Sequence, residues 1–263
     1  MQHLSQQLSI QQFAGIQSVG FVLVLCRVGG LFVLAPIFSG KMIPSQAKLI
    51  IAGAISFTLE PLVTHGTKIP TGLAVVPLMI KELIVGLAFA LALGAIGAAV
   101  QFAASLLDTM IGFSMAALID PMSSAPAAIL GQFYSLFSVL VFLMIGGDQL
   151  MIEGLAASYR LIPVGQMPSI AQLGTLATSD LASIAVVGLE IGAPVVIALT
   201  LVDVAFALMA RTVPQMNVFV VGMPAKILVG FAAIGASLAF VTGDLEGLLQ
   251  QGVMTTLNAL KVH

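Results

Sequence analysis

The chain reads as an all-α, integral membrane helical protein, and three observations lead there. Of its 263 residues, 59% are hydrophobic and 8% charged; with a mean hydropathy of +1.14, this lies far outside the range of soluble domains. Several apolar runs reach the roughly 20 residues a helix needs to cross a hydrocarbon core about 30 Å thick. They cover residues 13–38, 83–107, 127–147, 181–210 and 218–241, with 49–63 as a short candidate. Residues 181–210 and 225–241 flank a polar, proline-bracketed break, residues 211–224, which reads as the tip of a helical hairpin.

The first half is irregular. The run ending at Phe38 contains Arg27 and the pair Gly29-Gly30, then meets a short basic turn with Lys41, Pro44 and Lys48. The short run is expected to stop at Glu60-Pro61, because proline disfavours helix in the residue before it. Residues 64–77 read as a loop, and Lys81-Glu82 as the opening of the next helix. That helix carries Gly86, Ala90, Gly94 and Ala98 at intervals of four. Such a stripe of small side chains allows close approach of another helix, since association in lipid depends on packing rather than on apolar burial; the abundance of Gly and Ala along the chain offers a plainer account. Composition changes between Ser158 and Asp180, and Thr178-Ser179-Asp180 supplies residues that start helices. The best internal boundary lies there, dividing the chain into 1–175 and 176–263.

Charge excludes several functions. The net charge is −2, and no basic cluster forms a phosphate-binding footprint, so no nucleic acid is expected as a partner. Cys26 is the single cysteine and permits neither an intramolecular disulfide nor a cysteine-rich metal site; it reads as a small core residue. Residues 1–12 are polar and lack the basic flank of a cleavable signal peptide, so the first apolar run is expected to be retained. The absence of Trp and the presence of only two Tyr leave no aromatic belts. In an alternating topology Lys68, Lys81, Arg160 and Lys261 fall on one side and Lys41, Lys48 and Arg211 on the other, which leaves orientation open. Missing anchors suit a subunit whose helices pack mainly on other proteins.

Arg27, Glu190, Asp203 and Lys226 lie in or beside apolar runs, where an unpaired charge costs from a few to more than ten kcal/mol, depending on the reference. Glu190 and Asp203 are thirteen positions apart and point to different faces of a helix, even before Pro194 bends it. Opposite-charge pairs with Arg27 and Lys226, or with another subunit, are the simpler solution; a proton or ion relay is the sharper one. Gly112-Phe113-Ser114-Met115-Ala116 nearly matches a nucleophile elbow. A serine nucleophile needs a base, however, and the histidines are His3, His65 and His263, two of them terminal. Neither a metal-ligand cluster nor a phosphate-binding glycine loop is found. No catalytic, cofactor or metal site is expected. Met110, Phe113 and Met115 are bulky, and unbranched Met adapts to varied shapes, so they can close an aperture yet deform around a passing chain. Gly112 and the Asp120-Pro121 turn let that segment leave helix geometry, which is tolerated at membrane depth inside protein or beside water. Ordinary core packing is the alternative.

Three stretches carry a family resemblance: residues 27–36, with Arg27, Gly29, Gly30 and Pro36; residues 112–121, with Gly112, Ala116, Asp120 and Pro121; and residues 214–224, with Pro214, Gln215, Asn217, Gly222 and Pro224. In order and spacing they resemble the FliR family, flagellar members of the type III secretion export gate related to the SctT proteins of injectisomes. The stretch through Lys226 also resembles the hairpin of FliQ. The resemblance implies an all-helical subunit, present once in a gate with several FliP and FliQ copies and with FlhB beside it. It implies tilted hairpins largely raised above the membrane plane, some contact with membrane lipid, and a bacterial inner-membrane location in the flagellar basal body. A plug segment near 108–121 that includes Met110, Phe113 and Met115, and passage of unfolded flagellar proteins, follow from the same resemblance. A small-solute or ion transporter is the alternative; it would need a coherent site near the bilayer midplane.

Overall fold

A computed structural model describes residues 19–35, 43–64, 70, 72–113, 129–144, 146–215 and 217–259. Among them every regular element is a helix and no strand occurs. The elements are α1 (Val19–Leu34), α2 (Ser45–Val63), a 3-10 turn (Gly72–Ala74), α3 (Val75–Ile111), α4 (Ile129–Met144), α5 (Gly147–Leu161), α6 (Ile170–Thr212) and α7 (Val218–Ala259). Among the described residues, four helices are long and apolar enough to cross a membrane: Ser45–Val63, Gly72–Ile111, Ile170–Thr212 and Val220–Leu238.

Local chemistry sets the boundaries, and several fall elsewhere than the sequence predicts. Pro61 does not stop α2, which continues to Val63. Proline removes a backbone donor only one turn from the helix end, and Thr64 closes that end by donating its N–H and hydroxyl to the Glu60 carbonyl at 3.0 and 2.7 Å. α3 starts at Val75, ahead of Lys81-Glu82, because Pro77 falls in the first turn, where its missing N–H has no helical acceptor. α6 starts at Ile170 rather than at Thr178-Ser179-Asp180. Ser169 and Gln172 form a capping box there: the Ser169 N–H donates to Gln172 Oε1 at 2.8 Å, and the Gln172 N–H to Ser169 Oγ at 3.2 Å. The Thr178 and Ser179 hydroxyls instead donate back to Gly174 and Leu176 carbonyls of their own helix. α5 carries Asp148 in its first turn and Arg160 in its last, both aligned with the helix dipole.

The chain folds as two compact units, one of residues 1–94, 147–180 and 250–263, the other of 95–146 and 181–249. In the first, α1 and α3 run in the same sense. Gly86 meets the Arg27 backbone and Gly94 meets Leu34, while Gly30 faces α3 so closely that a Cβ would stand 2.7 Å from the Leu83 carbonyl oxygen. Gly86 and Gly94 of the small-residue stripe, with Ala90 buried between them, therefore belong to a helix contact in which backbones nearly touch. In lipid such packing, not removal of apolar surface from water, drives helix association. In the second unit, α6 and α7 form an antiparallel hairpin. Phe206 lies over Gly222, Asp203 pairs with Lys226, and Leu199 faces Gly230. Its core gathers Leu107 and Ile111 of α3, Leu130 and Tyr134 of α4, Val195 and Leu199 of α6, and Ile234 of α7.

Candidate functional site

Arg27 has no exposed surface. Its Nε donates to Glu82 Oε2 at 2.7 Å, one terminal nitrogen to Ser158 Oγ at 3.3 Å, and the other to the Ile162 carbonyl at 3.1 Å. The guanidinium also lies over the Tyr159 ring, 3.9 Å from its centroid, a cation–π contact strengthened by the absence of water. Glu82 Oε1 accepts from the Gly165 N–H at 2.7 Å. Taking two ions out of water costs several kcal/mol each, and a buried pair is tolerated only where further hydrogen bonds satisfy what the pair leaves over. Here they do, and one centre ties α1, α3, α5 and the turn after α5 together. Sequence reasoning found Arg27 and its need for an anion, but missed Glu82, Ser158 and Gly165. The available signal was Glu82, a carboxylate one turn before the Gly86 stripe.

A second centre surrounds the end of α3. Gly112 adopts φ +100°, a left-handed conformation that favours glycine, and the Gly112 and Phe113 N–H groups both donate to the Asp108 carbonyl, at 3.2 and 3.0 Å. The Phe113 bond is the 6→1 bond of a Schellman cap and the Gly112 bond the 5→1 bond of an αL cap, and together they close the helix. The buried Asp108 carboxylate accepts from Leu130 and Gly131 N–H at 3.1 and 3.3 Å, so it places negative charge on the N-terminus of α4, where the dipole favours it. Lys226, paired with Asp203, also donates to the Met110 carbonyl at 3.4 Å. Phe113 packs edge-on against Phe231, with centroids 6.2 Å apart, and Met110 and Phe113 both lean on the core of this unit. Met115, Ser114 and Asp120-Pro121 lie outside the described residues. Asp108 and the capping of α4 were not anticipated.

Glu190 is exposed on α6, with no ion pair among the described residues. At the hairpin tip Pro214, Gln215 and Asn217 are exposed. Asn217 caps α7, its carbonyl and side-chain oxygens accepting from the Val220 N–H at 3.1 and 3.4 Å. Gly222 and Pro224 fall inside α7, so the break is shorter than the sequence implies; Gly222 makes room for the Phe206 ring.

The family model "Bacterial export proteins, family 1" matches residues 18–252. The chain belongs to this family. This export protein is 30% identical over 243 residues to the flagellar biosynthetic protein FliR of Bacillus subtilis, covering 91% of this chain and 94% of that one. It is 26% identical over 227 residues to FliR of Escherichia coli, covering 86% and 87%. It is also 32% identical over 217 residues to the surface presentation of antigens protein SpaR of Shigella flexneri, covering 80% and 82%. Both polar centres of the export protein, and its hairpin tip, lie within the residues that the family model covers.

Proposed function

We propose that this chain is the FliR-type subunit of a flagellar type III export gate, forming part of the channel that passes unfolded flagellar proteins. The carrying observation is the family match over residues 18–252, nearly the whole described chain. The longer coverage by FliR relatives than by SpaR favours the flagellar branch. Membership of an export family argues against a small-solute carrier and supports a channel-forming task.

In this reading FliP-like and FliQ-like subunits and an FlhB-like subunit surround a single copy in the bacterial inner membrane. Energy for transport comes from partners and the proton gradient. Residues 176–263 are a FliQ-like hairpin and residues 1–175 an N-terminal helical part. The lengths of α6 and α7, 43 and 42 residues, support tilted or raised hairpins. At about 1.5 Å per residue each extends about 65 Å, twice a hydrocarbon core of about 30 Å. Met110, Phe113 and Met115 seal the channel between substrates. Phe113 follows a helix end fixed by Asp108, Gly112 and Lys226, so its ring is held by backbone geometry as well as by Phe231. Replacing Phe113 by Ala raises the conductance of the resting membrane to small ions; an unchanged conductance removes the seal from this residue.

A further inference from the structure

Asp108 serves both flanks of residues 114–128, a stretch outside the described residues. Where the chain leaves α3, the Asp108 carbonyl accepts the Gly112 and Phe113 N–H groups. Where it returns as α4, the Asp108 carboxylate accepts the Leu130 and Gly131 N–H groups at 3.1 and 3.3 Å. In a helix that starts at Ile129, these two donors are the ones an N-cap side chain ordinarily satisfies. The residues ahead of Ile129 are Ala127 and Ala128, whose side chains have no oxygen to offer. The start of α4 therefore takes its cap from α3.

A local cap would satisfy the same donors without burying a charge between two helices. Asp108 is 3% exposed, and among the described residues no cation pairs with it. Its compensation comes from the two N–H groups and the positive end of the α4 dipole. What the buried carboxylate adds over a local cap is a tie between helices. Gln101 makes a second tie, its Nε2 donating to the Gly131 carbonyl at 3.3 Å; it stands seven positions before Asp108, nearly two turns, and so shares its face of α3. The closure of α3 is backbone to backbone and needs no carboxylate, so the side chain has a task of its own. We infer that Asp108 is a positioning residue for the seal. Its carboxylate ties the start of α4 to the end of α3, so the stretch that carries Met115 leaves and returns at one fixed point next to Phe113. The inference rests on the export-subunit reading with its seal, and it adds the residue that holds the base of that seal.

The test compares Asp108→Ala, alone and combined with Ala128→Asp, in the full chain in its native membrane. Ala128→Asp gives α4 a cap of its own but no tie to α3. Asp108→Ala is expected to lower the thermal midpoint and to raise the resting conductance to small ions to a level comparable with that of Phe113→Ala. Adding Ala128→Asp is expected to return the midpoint toward that of the wild type and to leave the conductance high. A tight membrane in Asp108→Ala, or tightness restored by Ala128→Asp, reduces Asp108 to a helix cap and overturns the inference. Where Asp108→Ala fails to accumulate, the double variant carries the measurement. Hydrogen exchange in the wild-type assembly decides without any variant: the Leu130 and Gly131 amides are expected to exchange as slowly as those of the helix interior, and rapid exchange overturns the tie. If Phe113→Ala leaks and Asp108→Ala does not, this inference alone fails; if neither leaks, the seal fails with it.

Discussion

Arg27 is the bulkiest side chain with no exposed surface, and its energetics are those of a charge that cannot be left alone. Glu82→Ala strands a buried guanidinium and is expected to cost about 3–5 kcal/mol, whereas replacing the pair together by Met and Leu costs less, because no ion remains. Chemical unfolding in mild detergent of the single and double variants checks this; a double variant less stable than Glu82→Ala would refute it. The two ion pairs differ in how far they could be read in advance. Asp203 and Lys226 sit on the arms of one hairpin, whose tip is visible as Pro214-Gln215, so local register brings them together. Arg27 and Glu82 are 55 residues apart, and only the packing of α1 on α3 joins them. No pattern within either segment encodes that packing.

At the scale of elements, the close contact of α1 with α3 depends on specific glycines rather than on glycine content. A Cβ on Gly86 would collide with the Arg27 carbonyl, a backbone atom that cannot swing away, whereas nothing stands within 4 Å of a Cβ on Gly29. Gly86→Ala is expected to cost about 1–3 kcal/mol by overpacking. Gly29→Ala is expected to be neutral or slightly stabilising, since Ala favours helix by about 1 kcal/mol. Thermal midpoints of the two variants in the same detergent separate the outcomes, and equal losses would remove the distinction. The four-residue spacing of Gly86, Ala90 and Gly94 made this contact legible. Helix ends were less so: Pro61 was tolerated because Thr64 closes the turn behind it, and the Ser169–Gln172 box pre-empted the stronger-looking Thr178-Ser179-Asp180. Each end depends on which of several competing side-chain hydrogen bonds forms.

For the whole molecule, composition alone pointed to an integral membrane protein, the long apolar runs located its main helices, and the family resemblance implied that it is all-helical. The end of α3 was legible as a departure from helix through Gly112, but not Asp108 as its link to α4, because that carboxylate acts across 22 and 23 residues. Extraction in mild detergent, followed by mass spectrometry of the intact assembly, is expected to give one copy of this chain with FliP-like and FliQ-like subunits; recovery of the chain alone would contradict a gate subunit. The Arg27 centre also sets an order of events during synthesis. The guanidinium is made early, its carboxylate follows 55 residues later, and its remaining acceptors follow 131 and 135 residues later. At roughly 5–20 residues per second, the first helix carries an incompletely satisfied cation for on the order of ten seconds. During that interval it depends on water, lipid headgroups or the insertion machinery, and it settles only when the middle of the chain arrives.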